Sequence, residues 1–221
     1  MEELFNPQVF FYFLGLPVTK TVVSTWIVMA FLVILSWFIT RRMNPVPTRL
    51  QNIVELFVEA IINLIEGMSP GNGRKFLPLV GSLALFIGTA SIAHLVPGLK
   101  APTSDFNTAF ALALVVFFAV PFYGIAMRGV RGYFREYVSP SPILLPFHII
   151  SEITRTFSLA LRLFGNILGE EIIIGIFFLL SPLFVPIPMM LFSVFTGVIQ
   201  AYIFTILTVV YISAAVEVHE G

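Results

Sequence analysis

Cysteine is absent from this chain. That excludes disulfides, thioether-linked haem and thiolate metal sites, and it leaves the redox compartment unreadable. Charge is scarce as well: Asp, Glu, Lys and Arg make up 11% of the sequence, against about 25% in soluble domains. The formal net charge is zero, so nothing points to a nucleic-acid partner. No GxxxxGK[ST] phosphate loop occurs, and nucleotide chemistry must belong to other chains. Met1-Glu2-Glu3 is acidic where a cleaved signal peptide would be basic, so the first apolar run is expected to be retained. There is no convincing internal repeat of the kind that builds many secondary transporters. No cofactor and no metal site are expected, and no catalytic residue stands out.

What remains is hydrophobic: 58% of the 221 residues. Several runs approach or exceed the ~20 residues that cross a bilayer as a helix. They are long and continuously apolar, unlike the short alternating segments of a transmembrane barrel. The sequence therefore predicts an all-α polytopic membrane protein, a single integral membrane domain over residues 1–221. Residues 1–20 read as an aromatic-rich lead-in at the membrane surface, and the first crossing as about 21–40.

The stretch 47–68 differs in kind. Leu50, Ile53, Val54, Phe57, Val58, Ile61, Leu64 and Ile65 fall on one helical face, with Asn52, Glu55, Glu59, Asn63 and Glu66 on the other. This is the pattern of an amphipathic helix lying in the interface. Its acidic polar face suits a protein partner better than anionic lipid, or it is simply solvated. Further crossings follow at about 76–96 and 108–127. Arg41, Arg42, Arg49, Arg74 and Lys75 on one connection and Arg128, Arg131 and Arg135 on another outnumber Lys20 and Lys100 opposite. The positive-inside rule then places the N-terminus outside and the C-terminus in the cytoplasm.

Two longer runs close the chain, about 146–180 and 188–218, joined at SPLFVPIP (Ser181 to Pro188). As helices they would be roughly 52 and 46 Å long, against a hydrocarbon core of ~30 Å. Neither holds two crossings, so each is expected to be steeply tilted, bent or partly outside the core. The expectation is five transmembrane helices plus one interfacial helix, the last two forming a long, steeply tilted hairpin.

The first arm carries SLALRLFGNILGEE (Ser158 to Glu171). A guanidinium near the bilayer centre costs at least ~2.5 kcal/mol, and such groups usually mark an ion path. A packing arginine held by a carboxylate is the plainer alternative. At about 100° per residue, Ser151, Arg155, Ser158, Arg162 and Asn166 share one stripe, edged by Gly165 and Gly169. Glu171 lies about 180° away, facing the outer half. His148 and Glu152 lie toward the cytoplasmic end. An antiparallel hairpin centred near Phe184–Val185 would set Arg162 against position 207, and an offset of about two turns would bring Gln200 opposite. Arginine holds its proton and cannot relay one, but its charge lowers the pKa of a passing carboxylate and blocks cation leak.

RLFGN (Arg162 to Asn166), Glu171, IQAYIFTIL (Ile199 to Leu207), VYISAAVE (Val210 to Glu217) and PTSDFNTA (Pro102 to Ala109) resemble subunit a of F-type ATP synthases over nearly the whole chain. Around the arginine the resemblance is to the cyanobacterial and chloroplast branch. It implies that Arg162 faces a rotating c-ring, with Gln200 and Asn166 beside it, and that Glu171 belongs to an outer half-channel. Many bacterial members carry a titratable histidine where Ser193 stands, so the outer path here must rely on water or another group. Glu170 is an extra acid, read equally well as a channel group or a surface acid. His148 and Glu152 are weaker candidates for the cytoplasmic half-channel, as are Ser158 for the stripe and His94 for the outer mouth.

The function so implied is a non-catalytic stator subunit carrying two offset half-channels to the c-ring carboxylates. Its partners would be the c-ring, peripheral-stalk b-type subunits and the lipid bilayer, in a bacterial inner membrane. The coupling ion is expected to be the proton. The competing class is a self-contained ion transporter or channel.

Overall fold

The computed structural model describes residues 9–13, 16–41, 49–93, 95–96, 99–138, 145–180 and 186–216. His94, the hairpin centre near Phe184–Val185 and the expected end of the last helix beyond residue 216 lie outside them.

The lead-in is more ordered than its proline and glycine content predicts. β1 (Val9–Phe13) pairs antiparallel with β2 (Leu16–Thr19), with Phe13 opposite Leu16 and Val9 opposite Thr19. Aromatic and β-branched residues favour strands, so a short hairpin precedes an otherwise all-helical fold. α1 (Lys20–Arg41) follows directly and buries only Ser24 and Val28. The rest of its apolar surface faces outward, as on a helix solvated by lipid. Near its end the Arg41 guanidinium lies 4.9 Å from the Trp37 ring centroid.

α2 (Arg49–Met68) is the amphipathic helix, turning Ile61 and Ile65 inward. Its corner with α3 (Gly73–Ala93) is held by one carboxylate: Glu66 accepts the N–H groups of Gly71 at 2.6 Å and Gly73 at 2.9 Å. A carboxylate at a helix N-terminus satisfies orphan donors and opposes the positive end of the dipole. Gly71 has φ 79°, and a Cβ at Gly73 would meet Glu66 Oε1 at 2.5 Å. The cap explains why α3 begins at Gly73 rather than near Phe76. Polar satisfaction, not hydropathy, sets the boundary.

The 3₁₀ turn Pro102–Ser104 touches α1, α3 and the helices Phe106–Val138 and Leu145–Leu180. Asp105 after it caps α4 (Phe106–Val138): its Oδ1 accepts the Asn107 N–H at 3.0 Å, while its Oδ2 accepts the Thr21 hydroxyl at 2.8 Å. One side chain thus starts α4 and ties down the start of α1. α4 extends beyond the expected 108–127 segment, with a break at Gly129 (φ 75°, ψ 161°). Past the break Tyr133 returns against Gly124, where a Cβ would lie 2.6 Å from its ring. Arg128 Nη1 donates to the Ala215 carbonyl at 3.4 Å, holding the far end of the last helix.

α5 (Leu145–Leu180) has 36 residues and α6 (Pro186–Val216) has 31. α6 packs chiefly on α3 and α4, and α5 chiefly on α4. The two arms touch each other less than they touch these neighbours. The core is shared by Phe76, Val80, Ile87, Val116, Leu163 and Phe204, among others. Among the described residues, four segments are long and apolar enough to cross a membrane: Lys20–Arg41, Gly73–Ala93, Phe106–Tyr133 and Pro188–Val216. The chain is a multi-pass, predominantly helical membrane protein.

Candidate ion-path site

The polar stripe of α5 meets α6 at three levels. Nearest the Leu145 end, the Arg155 guanidinium lies 5.3 Å from the Tyr211 ring centroid and pairs with Glu152 at 3.3 Å. Asn166 Nδ2 donates to Gln200 Oε1 at 2.7 Å. Toward the Leu180 end, Ser193 Oγ and Thr196 Oγ1 donate to the two oxygens of the Glu170 carboxylate. These contacts share one antiparallel register: Arg155 to Asn166 is eleven residues, and so is Gln200 to Tyr211.

In that register the position level with Arg162 is Phe204, not residue 207, and Phe204 is buried at 1% exposure. Gln200 lies one turn beyond that level, opposite Asn166. Spacing along a single helix cannot supply a register between two helices, and the hairpin turn alone misjudged it.

Arg162 is exposed, and among the described residues no hydrogen bond or ion pair holds its guanidinium. Gly165 and Gly169 beside it are open: among the described residues, nothing beyond the adjoining backbone of α5 lies within 4 Å of a Cβ built on either. Ser158 is exposed on the same face. Around Arg162, the stripe that spacing marked as a packing surface is therefore not covered by the described helices. Its cation and its small residues face outward together.

Elsewhere the polar groups are engaged. Glu170 lies about 80° around α5 from Arg162, next to Asn166 at about 40°, and reaches α6. Sequence reasoning ranked it below Glu171, although the same wheel angle would have found it. Glu171 is half-buried and partnered. Ser193 is 1% exposed, and its hydroxyl serves a carboxylate one helix away. His148 is exposed and partnered. Gln200 is 2% exposed, and its Nε2 has no hydrogen-bond partner among the described residues. A buried donor left unsatisfied costs about 1–3 kcal/mol. Among the described residues no three His, Asp or Glu side chains group as a metal site.

Apolar membrane helices, with carboxylate, amide and hydroxyl groups joined between two of them and a bare guanidinium on the same helix, define a membrane protein of ion transport. The chain belongs to the ATP synthase A chain family, which matches residues 22–213. It is 47% identical over 199 residues to ATP synthase subunit a 2 of a Bradyrhizobium species, covering 90% of this chain and 89% of that one. It is 43% identical over 216 residues to ATP synthase subunit a 2 of Acaryochloris marina, covering 96% and 92%. With ATP synthase subunit a of Moorella thermoacetica it shares 39% identity over 214 residues, covering 97% and 98%. Cyanobacterial proteins are among these relatives. The chain is thus a non-catalytic component of the membrane sector of an ATP synthase, and the catalytic sites lie in the other sector.

Proposed function

We propose that the chain is the stator of a rotary proton path, a single membrane domain carrying two offset half-channels that load and unload carboxylates on a c-ring. Five crossings, with α2 in the interface and α5 and α6 steeply tilted, would set the N-terminus outside a bacterial inner membrane. The C-terminus would be cytoplasmic, and b-type stalk subunits would bind elsewhere on the chain. The observation that carries this reading is the exposed, unpaired Arg162 on a face whose glycines are also open. A cation so placed is costly in lipid, and a ring of carboxylates passing it would offset that cost.

A guanidinium gives up no proton in a protein, so Arg162 is not itself the carrier. Its charge favours the ionised form of a carboxylate that has just released its proton, and it repels a cation moving directly between the two half-paths. Glu170, with Ser193 and Thr196, belongs to the outer path, together with Glu171, Asn166 and Gln200. Glu152 and His148 belong to the inner path, and His94 to the outer mouth. Each charge crossing 100 mV releases about 2.3 kcal/mol, so several must cross per ATP.

The test is Arg162→Ala in the reconstituted complex, read as ATP-driven pumping and as passive leak through the membrane sector. Pumping should vanish and leak should rise. Surviving pumping would sink the reading, and loss of assembly alone would return Arg162 to a packing role. Proton coupling is checked separately: synthesis at fixed membrane potential should not require sodium.

A further inference from the structure

On the interior side of α6, Ser193, Gly197 and Gln200 follow at spacings of four and three and form one stripe. Ser193 meets the Glu170 carboxylate, Gln200 meets Asn166, and Gly197 meets a third helix. A Cβ at position 197 would lie 2.6 Å from Ser91 Cβ and 3.4 Å from Ser91 Oγ, on α3. Glycine there lets α3 approach closely enough for the Ser91 hydroxyl to join the stripe. Ser91 is 2% exposed and its Oγ has no partner among the described residues. Gln200 Nε2, one turn along, is in the same condition. Native interiors satisfy such groups with ordered water that makes two to four hydrogen bonds.

We propose that Ser91 is a proton-relay residue of the outer path. Its hydroxyl, held at the α3–α6 crossing, would order the water that links the Glu170–Ser193 pair to the Asn166–Gln200 pair. This deepens the half-channel reading and rests on it. The spacing supports it: Ser193 and Gln200 are separated by about 10 Å along the helix axis. One water spans at most about 6 Å between heavy atoms, at up to ~3.0 Å per hydrogen bond. Ser91, level with Gly197, divides the interval into about 6 and 4.5 Å, each within reach of one water. A hydroxyl both donates and accepts. It takes a proton from one water as it releases its own to the next, so one O–H bond forms, one breaks, and its charge is unchanged afterwards.

The assembled ATP synthase in inverted membrane vesicles provides the test. Ser91→Ala should lower ATP-driven proton pumping, and passive conductance once the catalytic sector is stripped, by roughly 100-fold, the low end for a positioned proton-transfer group. Because the chain has no cysteine, Ser91→Cys is a single thiol probe in it. A small water-soluble thiol reagent should modify Ser91→Cys from the outer face and block conductance. It should not modify Ala90→Cys, a fully buried position on the same helix. Wild-type conductance in Ser91→Ala, or an unmodified Ser91→Cys in an assembled complex, overturns the proposal. Where Ser91→Ala fails to assemble, the labelling of Ser91→Cys decides. Arg162→Ala run in parallel separates the levels. If it pumps, the half-channel reading falls; if it does not while Ser91→Ala does, only the relay falls.

Discussion

Two arginines stand two turns apart on one stripe of α5, and the fold treats them oppositely. Arg155 is engaged: Glu152 is its ion pair at 3.3 Å, and the Tyr211 ring faces it from α6. Arg162 has neither kind of partner among the described residues, and the glycines next to it are open. An exposed ion pair contributes only about 0.2–1 kcal/mol, and a cation over an aromatic ring about 0.5–1 kcal/mol at exposed sites. Those contacts are small, but they consume the field of Arg155 locally. The charge of Arg162 remains available to whatever passes. A helix can thus carry one arginine that fastens it and another that acts beyond it.

The largest expected effect tests this contrast directly. Arg162→Ala should lower ATP-driven pumping at least about 100-fold, the scale seen when a preorganised charge is removed from a reacting position. Arg155→Ala should leave it within about twofold, given the weakness of an exposed pair. Equal losses in both would end the distinction. Next comes Glu170→Gln, which keeps size but removes the charge accepting two hydroxyls; pumping should fall roughly 10- to 100-fold. If instead it pumps normally while Glu171→Gln does not, Glu171 alone carries the outer path. A smaller change is expected from Glu152→Gln, which releases Arg155 and makes it more like Arg162. A loss of pumping of about two- to threefold would follow from an ion pair worth about 0.2–1 kcal/mol. Tyr211→Phe should do least, since the ring and its cation contact survive; a shift in complex stability above about 0.5 kcal/mol would mean that the hydroxyl matters.

Much of this site was legible along the chain. The 3.6-residue period sets Arg162, Asn166 and Arg155 on one stripe whatever surrounds them, and the scarcity of charge made each ionisable group conspicuous. The same period held Glu170 in view, though the family pattern drew attention to Glu171. Ser91 was visible only as one of several small polar residues in an apolar run. Nothing in its neighbours along the chain shows that it lies against Gly197 of a helix about a hundred residues later. Boundaries were misread where polar caps overrode hydropathy: Glu66 starts α3 early and Asp105 does the same for α4.

The sequence by itself determined that this is a multi-pass helical membrane chain of the ATP synthase A chain family, with a polar stripe on its longest helix. Those properties follow from composition, local periodicity and shared motifs, which need no partner in space. Only the tertiary structure decided which polar groups on that stripe are satisfied. The register that pairs Asn166 with Gln200 and Glu170 with Ser193 comes from packing α5 on α4 and α6 on α3. Packing of that kind depends on side chains distant in sequence, and it alone left Arg162 bare while setting the Tyr211 ring against Arg155.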